Sequence, residues 1–176
     1  MKSKKKNLTV SFLAIFIISC ALIYKLVNQS WQDYQNLELK LSFRHPPTWS
    51  QPTITPLSTK TIIEFSEINE PIFSLTTGVQ FDQDLQRTLD INELKKNLSN
   101  SISAISDYQN GKLIGFSYNS SVPGQNYFVE TTVFLADQND LTNLYIFAYR
   151  HKGDKKQVNG IPKTLDSLIS SFTYNF

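Results

Sequence analysis

IGFSY (114–118), YFVETTVFL (127–135) and LTNLYIFAY (141–149) are the stretches that decide the fold of this 176-residue chain. In the first, Ile114, Phe116 and Tyr118 fall on alternate residues; in the second, Tyr127, Val129, Thr131, Val133 and Leu135 do so. That is the period of a strand with one buried face. The third is apolar on both faces, with Leu144, Ile146 and Ala148 set against Tyr145, Phe147 and Tyr149. It predicts a central strand covered on both sides. Val122-Pro123-Gly124 turns the first stretch into the second, and the polar residues 137–140 turn the second into the third. Strands joined by such short links are antiparallel neighbours.

Downstream, Ile161, Leu165, Leu168, Ile169 and Phe172 form the apolar stripe of a last helix, and Pro162 suits its first turn. Upstream, Asp90 and Glu93 have the spacing of a capping box. Ile91, Leu94, Leu98, Ile102 and Ile105 then predict one amphipathic helix through residue 105. Residues 82–90 read as a polar loop. Strands are expected at residues 61–65 and 72–81, and residues 52–57, bounded by Pro52 and Pro56, are expected to be irregular. Leu37, Leu39, Leu41 and Phe43 alternate with Glu38, Lys40, Ser42 and Arg44, predicting a half-buried strand stopped by Pro46 and Pro47. The order predicts an α+β fold: one antiparallel β-sheet flanked by a helix on each face.

Charge separates the chain into two parts. Lys2, Lys4, Lys5, Lys6 and Lys25 are the cations of residues 1–30, which hold no acid. Twelve of the 17 cations remain beyond them against all 15 acids, so residues 31–176 carry about −3 while the whole chain carries +2. Nucleic acid is not an expected partner, because phosphate binding needs clustered cations on the folded surface. The basic tail precedes an apolar run over residues 8–27, enough for one membrane helix. The expected division is a cytoplasmic tail and anchor or signal segment at 1–30 and a single extracytoplasmic domain at 31–176. Cys20, in Ile17-Ile18-Ser19-Cys20, offers a second version. There it is the lipidated residue of a cleaved lipoprotein; otherwise it is one small residue of an uncleaved span.

Tyr34-Gln35-Asn36, then Leu41-Ser42-Phe43, then Pro46-Pro47-Thr48-Trp49 resemble the opening of PsbP-like domains. Residues 165–172, LDSLISSF, resemble their last helix running into a short strand. The resemblance covers about residues 33–176, and His45 stands where the family has a tyrosine before proline. It implies a PsbP-like α/β/α sandwich and a non-catalytic, membrane-associated binding or assembly module with a protein partner in a membrane complex. It also allows a role like the extrinsic subunit of photosystem II. It implies no metal-binding residue here, because no ligand motif lines up.

The residues able to carry chemistry are few. With 2 His and 1 Cys the chain lacks a metal-ligand motif, and no Gly-x-Ser-x-Gly occurs. No cofactor and no catalytic residue are expected, although a small-ligand carrier or hydrolase using a sheet–helix pocket stays an alternative. The candidate binding residues are Arg150, His151, Lys152, Lys155 and Lys156, a basic cluster in an acidic domain, with Arg44 and His45 beside the prolines. The basic segment is read as a loop suited to an anionic partner or lipid headgroups, against the plainer reading of a solvated turn.

Overall fold

The computed structural model describes residues 30–68, 70–102, 104–125, 128–153 and 160–174. In chain order the first strands are β1 (Gln32–Asn36), β2 (Leu41–His45), β3 (Thr53–Pro56), β4 (Lys60–Glu67), β5 (Glu70–Asp82) and β6 (Arg87–Leu89). Helix α1 (Ile91–Ser99) follows, then β7 (Ile105–Asn110), β8 (Leu113–Ser121), β9 (Phe128–Asp137) and β10 (Asp140–Lys152). Helix α2 (Lys163–Ser171) and β11 (Thr173–Tyr174) close the described chain.

The large sheet runs β3-β4-β5-β10-β9-β8-β7, with β6 paired to the far end of β5. All its pairings are antiparallel. Strand β10 lies in the middle, as its two apolar faces require. On one face Ile63, Phe65, Phe73, Leu75, Phe147 and Leu135 meet Leu41 and Phe43 of β2 and Leu165, Leu168 and Ile169 of α2. On the other, Phe116, Phe134, Ala136 and Leu144 meet Ile91, with Leu94 and Leu98 packed beside it. The two helices thus sit on opposite faces.

Five expectations are corrected. First, a second sheet, β1-β2-β11, stands beside the large one. The alternation of residues 37–44 covers a hairpin, with residues 37–40 as its turn, Lys40 at φ 53° and Leu37 79% exposed. Second, residues 53–56 form edge strand β3, where the prolines are tolerated because one edge needs no N–H donors. Third, the polar segment 82–90 is largely a hairpin closed by β6, whose Asp82 Oδ1 accepts from Asp84 and Leu85 N–H. Fourth, α1 stops at Ser99, and Ile105 opens β7 opposite Tyr118. Ser99-Asn100-Ser101 has weak helix propensity, so pairing with β8 outcompetes continuation of the stripe.

The fifth correction concerns the basic segment: Arg150, His151 and Lys152 end strand β10 rather than form a loop. The ladder continues because Glu130, Val129 and Phe128 of β9 remain opposite them. The expected membrane segment at residues 8–27, Cys20, Lys155 and Lys156 lie outside the described residues. Among the described residues no helix is long and apolar enough to cross a membrane.

Candidate functional site

Strand alternation sorts the basic residues of β10. Arg150 and Lys152 share the face of Ala148, while His151 points with Tyr149 to the opposite face. Arg150 lies opposite Glu130, and Lys152 opposite Phe128. The guanidinium Nη2 reaches Glu130 Oε2 only at 3.6 Å, with Arg150 28% exposed at its side chain. Its Nε is buried with no hydrogen-bond partner among the described residues.

Arg150 lines two hollows. The larger, about 410 Å³, is lined by Arg150 and Lys152 together with Glu67, Glu70, Ile68, Ile72 and Phe128 among others. The smaller, about 50 Å³, lies toward Glu64, Ser74 and Glu130. Helix α1 covers the same sheet face further along, over Phe116 and Phe134. Arg150 and Lys152 were legible as a basic cluster, but Glu67, Glu70, Ile72 and Phe128 were not associated with them. They come from β4, β5 and β9, and only the pairing of these strands within one sheet brings them to β10.

The other candidates lie apart from this cavity. His45 is 6% exposed at the end of β2. Its ring lies 4.7 Å from that of Phe65 and stacks at 6.0 Å and 15° on Trp49. Its Nδ1 is 2.9 Å from the Pro46 carbonyl, which only accepts, so Nδ1 carries the proton. Trp49 lies 6.0 Å from Tyr149, and Tyr149 stacks at 5.7 Å on His151. The two histidines thus end one row of four rings. His151 Nε2 is 3.0 Å from Thr131 Oγ1, which donates to Asn119 Oδ1 at 2.6 Å. Arg44 is solvent-facing, 3.6 Å from Asp33, and its backbone N–H donates to Ser171 Oγ.

Two further hollows flank the core. One, about 320 Å³, lies between α1 and β7–β8, bridged by the Lys95–Asp107 ion pair. The other, about 470 Å³, lies between the 37–40 turn and Thr77, Tyr145 and Tyr174. Beside it Tyr174 donates its hydroxyl to Asp137 Oδ2. That bond, with the Asn139 N–H, holds the Asp137 carboxyl below its usual range, while burial and then Asp137 push Tyr174 up to about 12. Among the described residues no group of three or more His, Cys, Asp or Glu side chains is placed to hold a metal ion.

No family model and no curated protein matches the sequence. The chain is similar in structure to cyanobacterial PsbP. The solution structure of that protein, CyanoP from Synechocystis sp. PCC 6803, is 11% identical, with a TM-score of 0.47. The match covers 83% of this chain and 93% of that one. PsbP is also the family that residues 34–49 and 165–172 resemble in sequence. At this identity the likeness concerns the fold, and no residue role is carried over from PsbP.

Proposed function

We propose that this chain is a membrane-anchored, non-catalytic extracytoplasmic binding module that meets its partner at the Arg150 end of the sheet. The observation that carries the reading is where the chain enters the fold. Gln32 pairs with His45. His45 lies on Phe65, which is in register with Phe73 and, through it, with Tyr149, the neighbour of Arg150. An anchor ending at residue 27 is three residues from Ser30, a reach of roughly 10 Å. It therefore delivers this end of the domain to the bilayer surface, with Arg150 and Lys152 at the same end on the opposite face of the sheet. A cavity of about 410 Å³ also falls within the usual size of a small-ligand site, which supports a carrier reading here, in a hollow lined by strand and turn residues rather than in the expected sheet–helix pocket.

The test uses the full chain in its membranes. The protein is expected to resist alkaline extraction, and its C-terminal domain to be cut by protease added only on the extracytoplasmic side. A photocrosslinker at Lys152 is expected to capture a membrane-complex partner that the same probe at Lys112, on the β7–β8 turn, does not. Release of the chain by the alkaline wash, or equal capture from both positions, overturns the reading.

A further inference from the structure

We infer that the cavity at the Arg150 end binds a zwitterion, a phosphate joined to a primary ammonium, as in a phosphoethanolamine headgroup. The inference rests on the proposed function only for taking this end as the binding end. Two of the cavity's lining residues are cations. Arg150 and Lys152 are two residues apart on one strand face, about 7 Å along the strand, and repel one another. Arg150 meets Glu130 only at 3.6 Å among the described residues and keeps 28% of its side chain exposed, so its outer guanidinium edge can still donate to a ligand. A phosphate accepts from both cations with more oxygens than a carboxylate offers.

Two other lining residues have the opposite sign. Glu67 and Glu70 face each other across the β4–β5 turn, in direct register, and both line the same cavity. Like charges directly opposite are destabilising, and an ammonium between them removes that cost. With Glu130 beside Arg150, the acids make the cavity unsuited to a bare anion, and the two cations make it unsuited to a bare cation. One small molecule carrying both charges answers both deficits. Ile68, 91% exposed at the turn, Ile72 and Phe128 supply apolar wall for the carbon atoms next to the phosphate.

The full chain in detergent micelles is titrated with O-phosphoethanolamine, with dihexanoylphosphatidylethanolamine, and with phosphate, ethanolamine and β-alanine separately, read by calorimetry and phosphorus NMR. Both phosphate zwitterions are expected to bind saturably, and the three other compounds at least roughly tenfold more weakly. Arg150→Gln and the double variant Glu67→Gln, Glu70→Gln are each expected to weaken binding roughly tenfold, the loss of one charge-assisted contact. Their circular dichroism is expected to match that of the parent; Lys152→Gln replaces Arg150→Gln if that variant fails to fold. Tighter binding of the lipid than of the soluble headgroup assigns the source to the membrane, equal binding to a free compound, and either supports the site. No saturable binding of either zwitterion, tighter binding of β-alanine, or unchanged affinity in the variants overturns it. The readout needs no anchoring: an anchored chain that binds neither zwitterion refutes this inference alone, and an unanchored chain that binds both refutes only the anchoring.

Discussion

Gly115 shows how one residue admits a whole element. A Cβ there would lie 1.8 Å from the Phe134 carbonyl oxygen and 3.1 Å from Ile91 Cδ1, so only glycine lets β8 lie this close to β9 beneath α1. Gly115→Ala is expected to destabilise the fold by about 3 kcal/mol, the upper end of overpacking, read as a lowered urea midpoint with unchanged slope. A loss under about 0.5 kcal/mol, the range of ordinary surface substitutions, would show that β8 shifts freely. His45 makes a different point at this scale. Its reading as a stand-in for an aromatic side chain agrees with its ring contacts to Phe65 and Trp49. Its neighbours in sequence, Arg44 and Pro46, gave no hint of Tyr149 and His151 at the far end of the same row, because ring stacking joins residues more than 100 positions apart.

Helix α1 is the element most dependent on its start. It has nine residues and only Ile91 fully buried, and the Asp90 carboxylate accepts from Asn92 and Glu93 N–H at 2.8 and 2.9 Å. Asp90→Ala is expected to cost about 1 kcal/mol, with Asp90→Asn retaining most of it, in thermal or urea unfolding. Glu93 closes the box on Asp90 N–H and pairs with Arg87. Those bonds, Arg87 first, hold its carboxyl at about 2. A depressed carboxyl contributes above its unfolded value and loses that contribution as pH falls through the folded one. The stability gap between the parent and Glu93→Gln is therefore expected to be constant above about pH 4.5 and to close by about pH 2. A gap that persists at pH 2 would point to packing instead. The capping box was legible in sequence because capping is local; the helix end was not, because β8 decides where α1 yields to β7.

Across the whole molecule, tyrosines join the layers. Tyr108 on β7 donates to Asp166 on α2, and Tyr174 on the small sheet donates to Asp137 on β9. Burial raises Tyr108, Tyr145, Tyr149 and Tyr174, the last to about 12. An acid raised in the fold contributes fully below its unfolded value and loses that contribution as pH rises through the folded one. Stability is thus expected to hold to about pH 10 and fall beyond it, with these phenols ionising, by absorbance at 295 nm, only as the circular dichroism collapses. Ionisation of all 8 tyrosines near pH 10 with the fold intact would contradict the packing of both sheets and α2.

By itself the sequence determined the central strand, its two neighbours, the last helix and the cap of the first. Alternation, helical spacing and capping act over a few residues and need no knowledge of partners. It also determined that the first 30 residues carry a net positive charge and the rest of the chain a net negative one. Only the tertiary structure decided that residues 37–40 turn, that a second sheet forms, and that Arg150 and Lys152 stand in a strand facing Glu67 and Glu70. Register is set by pairing between distant strands, where cross-strand neighbours and bulges choose among locally equivalent alternations. The candidate site exists only in that pairing.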